Sequence, residues 1–442
     1  MKRPRSLAAK ILLGLAIGIV SALATLAIGH FVPAVLTTMR TVSTQVLDPF
    51  GQVFLRLLFF VIVPLVFASL ASGVAQLGRL DRLGPLTLRT FALFAANMGI
   101  AVLIGLVMMN VLQPGHYLDL ATRTDLLTHY SGKAADALAT RAAQPAMSLM
   151  TLVDMFMPRN LFGAVFGNER EKLGDVLPLI LFAILVGAAA TQLAAERRER
   201  IQVGLETITE LMTRVVGFAL RLAPYAVPAM IYSVLVRTGV DMLVTLSLFV
   251  VGCSAALLLH LFGTMSLWLR LLARRSPAAF FRQIRPVLIT AFSTSSSSAA
   301  LPASLAVARD VLKVSPSVSG FVLPLGATMN MSGTALFEGC VVLFVAQAFG
   351  VELSLVQQAV LMVLAVVSAI AVAGIPGGSL PLIAGLLVSF GIPGEGIGIV
   401  LGVDRLLDML RTTVNVGSDL VTAVVVDRQM SSNAPEARDL AR

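Results

Sequence analysis

Charge is scarce in this chain. Asp, Glu, Lys and Arg make up 13% of its 442 residues, whereas hydrophobic residues make up 57%. A soluble domain carries roughly 25% charged residues, so the chain reads as a polytopic membrane protein. Cysteine is scarcer still: Cys253 and Cys340 both lie in apolar runs. Neither has a neighbour at metal-ligand or redox spacing, which predicts two buried thiols and no disulfide. The four histidines are scattered. His116 and His129 fall in a polar stretch, His30 ends the first apolar run, and His260 lies in a later run with no acid placed to orient it. No nucleophile, base and acid can be assembled from them, so an enzyme is not expected. The net charge of +9 comes from short clusters between apolar runs, including Lys2/Arg3/Arg5, Arg79/Arg82/Arg89, Arg197/Arg198/Arg200 and Arg270/Arg274/Arg275. That is a positive-inside pattern rather than a nucleic-acid surface.

Six conventional spans are expected at about 7–30, 50–76, 86–112, 176–194, 205–236 and 240–270, each near or above the ~20 residues that cross a bilayer. The first follows a basic N-terminus as a signal peptide would, but it is long enough to span and has no clear small-residue cleavage site, so it reads as a retained span. The stretch 113–175 mixes polar and amphipathic sequence and reads as a loop with an interfacial or kinked helix.

After Arg275 the apolar segments are interrupted by small and hydroxyl residues. Ser295–Pro302 separates two moderately apolar arms, Leu323–Ala335 breaks a span over about 316–348, and Ala373–Pro381 breaks a segment over about 352–392. The paired interruptions predict an inverted repeat of re-entrant hairpin plus broken span. The last apolar run, Ile397 to Val426, carries Asp404, Asp408, Arg411, Thr412, Asn415 and Asp419 at spacings that draw one polar stripe along a helix. A charge at mid-membrane costs about 2.5–3.5 kcal/mol on insertion scales, so the stripe must face protein, water or ligand. Unwound tips at membrane depth belong beside a cavity. Half-helix N-termini there suit a carboxylate, and unwound carbonyls with Asn and Asp oxygens suit a small hard cation. The residues alone therefore point to a secondary transporter of a small anionic or zwitterionic solute.

Four motifs stand in order: Ser-Ser-Ser-Ser-Ala-Ala-Leu-Pro at 295–302, Asn-Met-Ser-Gly-Thr at 330–334, Gly-Ile-Pro-Gly-Gly at 374–378, and Asp-x3-Asp-x2-Arg-Thr-x2-Asn-x3-Asp at 404–419. Together they make the chain resemble the dicarboxylate/amino acid:cation symporter family of glutamate transporter homologues, over nearly its whole length. The resemblance implies an all-α fold of eight transmembrane helices and two opposed re-entrant helical hairpins, assembled as a homotrimer in the lipid bilayer of a cell (inner) membrane. Both termini are expected to be cytoplasmic. It also implies an elevator mechanism. The scaffold would comprise 1–85 and 113–236, and the transport domain 86–112 and 237–428, with a cytoplasmic tail at 429–442.

Under that resemblance the substrate is an acidic amino acid, aspartate or glutamate, with a C4-dicarboxylate as the alternative; a dedicated channel would not need the Asp408/Arg411 pair. Arg411 would fork onto the distal carboxylate, with an internal pair to Asp408 or Asp404 when empty. Asp408 would receive the α-ammonium, with Thr412 and Asn415 bonding on the same face. Ser295, Ser296, Ser297, Ser298 and Thr334 would donate to the carboxylates, and backbone from Ile375 to Ser379 would close the lid. No cofactor is expected beyond Na+ or H+ as coupling ions. Carbonyls near Gly326 and Asn330, with Asn415 and the Asp419 carboxylate, would form the remaining sodium site, and Glu338 would carry a proton.

The chain departs from the family pattern in informative places. Ser332 stands where a sodium-binding aspartate is expected. Phe94, Asn97 and Met98 replace a Tyr and a Thr-Ser pair, and Ala369–Gly374 lacks the hydroxyls of a further sodium site. Ser295 and Met409 occupy the two positions where relatives place a basic residue. These losses beside a retained Glu338 predict transport driven mainly by protons.

Overall fold

The computed structural model describes residues 7–77, 85–118, 157–166, 176–372 and 377–432. Among them every regular element is helical. Ile375, His129 and the clusters Lys2/Arg3/Arg5 and Arg79/Arg82 lie outside the described residues, as does most of 113–175.

The chain begins with α1 (Leu7–Phe31), α2 (Pro33–Val42), a π-helical turn Ser43–Leu47, α3 (Asp48–Phe59) and α4 (Ile62–Leu77). The second span, expected from residue 50, thus belongs to a helical run that starts at Pro33, because the polar turns of α2 are less apolar yet still helical. α5 (Pro85–Leu112) and a short 3-10 turn follow, then α6 (Leu161–Phe166), α7 (Val176–Thr191) and α8 (Ala195–Thr238). The Arg197/Arg198/Arg200 cluster lies on the first turns of α8, not in a loop. A 44-residue helix rises about 66 Å, roughly twice the hydrocarbon thickness, so its charged start has room to project into water.

Further along come α9 (Val240–Leu259), a π-helical turn at His260–Thr264, α10 (Met265–Leu271), α11 (Pro277–Thr294), α12 (Ser297–Asp310), α13 (Pro316–Met329) and α14 (Ser332–Ala348). The chain then forms α15 (Leu355–Ala371), α16 (Leu380–Ser389) and α17 (Gly398–Ser432). Seven helical runs among the described residues are long and apolar enough to cross a membrane. The expected span at 176–194 appears as the shorter α7, with its apolar part at Pro178–Thr191.

Burial ranks these helices. α14 is buried along its whole length and α17 along most of its own, whereas α1, α5 and α9 keep apolar side chains such as Ile17, Val107 and Val251 exposed. Exposed apolar faces of this kind suit lipid. α1 packs along α8, and α4 against α7 and α8; α17 is surrounded by α9, α11, α13 and α14. Cys253 and Cys340 are free, buried thiols, as expected.

The predicted interruptions fall where the helices break. Ser295, in the left-handed region at φ 50°, ends α11, and Ser296 caps α12 by accepting from the Ala299 N–H at 3.2 Å. Asn330 and Met331 leave helical geometry between α13 and α14. Gly377 turns at φ 71° before α16.

At the second of these breaks α14 meets α17 with no room to spare, since a Cβ on Gly333 would collide with the Arg411 carbonyl oxygen. The obstacle is backbone and cannot swing aside. Gly333→Ala is therefore expected to cost about 1–3 kcal/mol through overpacking and to displace Arg411. A lowered thermal midpoint with impaired uptake would bear this out, and wild-type values of both would refute it.

Candidate functional site

The breaks before α12, α14 and α16 and one face of α17 meet around a single cavity, lined by Ser295, Ser297, Met331, Thr334, Val372, Gly378, Ser379, Asp408, Arg411, Thr412 and Asn415. Its empty space is ≈ 250 Å³ with the mouth included, but only ≈ 10 Å³ is open to the centre of a water. The walls therefore close on room for about one water, and a solute of several heavy atoms needs them to part.

Helix N-termini present free N–H groups and a partial positive charge, which suits an anion. At α14 those donors are already engaged: Asn415 Oδ1 accepts from the N–H groups of Gly333 at 2.7 Å and Thr334 at 3.3 Å. Asn415 Nδ2 donates to Thr334 Oγ1 at 3.2 Å. Asn415 thus caps α14 from across the cavity, which leaves the starts of α12 and α16 as the anion-facing ends. Ser295 Oγ and Ser379 Oγ are buried without a hydrogen-bond partner, so both hydroxyls are available at those two ends.

Arg411 supplies the cavity's positive charge. Its Nε donates to Asp408 Oδ1 at 2.9 Å, Nη2 lies 2.8 Å from the same oxygen, and Nη1 donates to Asp404 Oδ1 at 3.2 Å. The guanidinium also stacks over the Phe337 ring, 4.4 Å from its centroid. The internal pairing foreseen for an empty site is present with both acids. Thr412 Oγ1 donates to the Asp408 carbonyl at 2.8 Å, so its hydroxyl faces the cavity as an acceptor, which favours an ammonium over a carboxylate.

The serine run divides. Ser295 and Ser297 line the cavity and Ser296 serves as the α12 cap. Ser298 is exposed and is not part of the lining, because one residue further along a helix turns the side chain by about 100°.

Of the residues expected to hold sodium, three converge. Asp419 is packed against Gly326 so closely that a Cβ there would meet its carboxylate, and Asn330 Nδ2 donates to Asp419 Oδ1 at 2.9 Å. The Asn415 carboxamide is committed to α14, and its backbone carbonyl accepts from Ser418 Oγ at 2.8 Å. Two residues absent from the expected sodium site complete the network: Asn97 Nδ2 donates to Asn330 Oδ1 at 2.9 Å, and Ser418 Oγ accepts from Asn330 Nδ2 at 3.2 Å and from Ser332 at 3.1 Å. Amide nitrogen therefore faces the Asp419 carboxylate where a cation would need oxygen. A cation there would draw its oxygens from the Asp419 carboxylate and nearby backbone carbonyls, while the Asn97 Oδ1 is left without a partner.

Glu338 is fully buried on α14, with neither carboxyl oxygen hydrogen-bonded. Its polar neighbours are Ser368 on α15, whose hydroxyl also lacks a partner, and Arg411. A further residue escaped the sequence stripe: Arg405 Nη1 donates to Asp408 Oδ2 at 3.1 Å.

The model of the sodium:dicarboxylate symporter family matches residues 7–429. The chain belongs to that family. It is accordingly a multi-pass membrane transporter of the symport type. Among curated proteins it is 29% identical to a proton/sodium-glutamate symport protein of Bacillus caldotenax over 384 residues, 86% of this chain and 87% of that one. The proton/glutamate-aspartate symporter of Escherichia coli (strain K12) is 29% identical over 385 residues, 86% of this chain and 85% of its own. A C4-dicarboxylate transport protein of Anaeromyxobacter sp. (strain K) is also 29% identical, over 434 residues covering 97% and 91%.

Proposed function

We infer that this family member is a symporter of acidic amino acids, aspartate or glutamate, driven mainly by protons. The observation that carries this reading is the pairing, at one cavity, of a guanidinium with two serine-bearing helix starts for carboxylates and of Asp408 with acceptor-facing Thr412 for an ammonium. Relatives named for proton-coupled glutamate and aspartate symport support the class. Proton coupling is supported by the unpartnered Glu338 and by the amide network at Asp419, which leaves sodium a secondary part. The C4-dicarboxylate alternative has its own support in the named dicarboxylate relative.

In this reading the molecule has eight spans and two re-entrant hairpins, α11–α12 and α15–α16. It works as a homotrimer in a cell (inner) membrane with both termini cytoplasmic. Helices α5 and α9–α17 carry substrate past a scaffold of α1–α4 and α6–α8, and α15–α16 with Ile375 and Ser379 forms the gate.

Uptake of labelled L-aspartate into proteoliposomes under an inward proton gradient, an inward sodium gradient, or neither, tests the function. Concentrative uptake on protons alone is the expected result. Uptake that requires sodium would overturn the coupling, and succinate uptake without aspartate uptake would replace the substrate. Asp419→Asn is expected to remove whatever sodium stimulation the wild type shows while retaining at least about half of proton-driven uptake. Loss of both would contradict the separation of the two ions.

A further inference from the structure

Asp408 is held from two sides. Arg411 reaches Oδ1 from the substrate cavity, and Arg405 reaches Oδ2 from the opposite side, with 11% of the Arg405 side chain exposed. That opposite side is a second cavity, where Asp404, Arg405 and Asp408 face Leu7 and Ile11 of α1, Phe54 of α3 and Val227 of α8. Two carboxylates and two guanidiniums thus form a linked chain of alternating charge within two turns of α17. The two arginines are not equivalent in it. Arg411 has Asp404 as a second anionic partner, whereas among the described residues Arg405 pairs only with Asp408 and its Nε is buried without a partner.

We propose that Arg405 is a specificity-determining residue, a tethered cation that competes with the substrate's ammonium for Asp408 and so sets the preference between acidic amino acids and plain dicarboxylates. The proposal rests on the amino-acid reading above. An ammonium arriving at Asp408 meets a carboxylate already bonded by a guanidinium on each oxygen, so Arg405 weakens its binding. A dicarboxylate brings no ammonium and instead needs the Asp408 charge neutralised, so Arg405 strengthens its binding. Removing Arg405 moves the two ligands in opposite directions, which a general loosening of the site cannot do. The residue acts through Asp408 and touches no substrate, so it is a positioning residue.

The test compares wild type, Arg405→Gln and Arg405→Lys in proteoliposomes, measuring the KM for labelled L-aspartate and the Ki of succinate against it. For Arg405→Gln the KM is expected to fall and the Ki to rise, shifting their ratio by about tenfold, the size of a modest coupling between contacting charges. Arg405→Lys, which keeps the charge, is expected to stay near wild type. Constants that move together, or an unmoved ratio, overturn the proposal; if succinate does not compete at all, an unchanged KM does so. Arg405→Met suits the apolar wall and carries the same test if the glutamine variant fails to incorporate. Wild-type protein that takes up no aspartate overturns the amino-acid reading itself, whereas normal wild-type uptake with an unmoved ratio overturns only the role of Arg405.

Discussion

Arg411→Ala is expected to abolish uptake of acidic substrates, lowering kcat/KM by at least about a hundredfold. The side chain is almost wholly buried and holds both Asp404 and Asp408. Removing one member of a buried ion pair costs about 3–5 kcal/mol, because the partner charge is left unpaired in a poor solvent for it. Here two carboxylates lose a partner: Asp408 keeps Arg405, but Arg411 is the only cation paired with Asp404 among the described residues. In the proposed binding mode the substrate's distal carboxylate loses its fork in the same stroke. Arg411→Lys is expected to recover little, since one compact ammonium cannot reproduce a planar grip on two acids and a stack over Phe337. Initial uptake rates, with thermal unfolding to verify that the variant is folded, measure the effect. Uptake by folded Arg411→Ala within about threefold of wild type would remove Arg411 from the binding role.

The second large effect is expected at Glu338. Replacing it with glutamine should abolish uptake driven by an imposed pH gradient while exchange of internal for external substrate continues. The carboxyl lies one helical turn beyond Thr334, beside the cavity but outside its lining, with no hydrogen bond to either oxygen. Burying a charge without a partner is costly, so the charge this group carries is tied to whether its surroundings open to water. Glutamine keeps the shape and removes the proton that can be exchanged. The neighbouring Ser368 on α15 and Arg411 on α17 place the group between the proposed gate and the cavity, where a change of proton occupancy can be felt by both. pH-gradient-driven uptake that survives Glu338→Gln unchanged would end the assignment; loss of exchange together with loss of driven uptake would mean the residue is structural.

The contrast between Asp419 and Asn415 shows what a stripe on a helix can and cannot say. Both stand on the same face of α17, and the sequence assigns them together to a cation site. The structure keeps Asp419 with Gly326 and Asn330 but commits the Asn415 carboxamide to the start of α14, because the break at Asn330–Met331 frees N–H groups that need an acceptor. Ser332 followed a similar course. Read as a lost ligand, it is a donor to Ser418 in a buried network with Asn97 and Asn330.

By itself the sequence determined the membrane setting, the positions of the helix breaks and the polar face of α17. Each of these depends on neighbours along the chain: apolar length sets a span, serine, glycine and proline set a break, and a 3.6-residue period sets which side chains share a face. Only the tertiary structure decided the rest. Arg405 and Asp408 are an i,i+3 pair that helical spacing makes neighbours, but the helices packed around α17 set the two cavities that this carboxylate faces. Asn97 finds Asn330 and Asn415 finds α14 across gaps of many residues. A hydrogen bond depends on distance in space, and which helix faces join, and so which polar groups find partners, is settled when the helices pack.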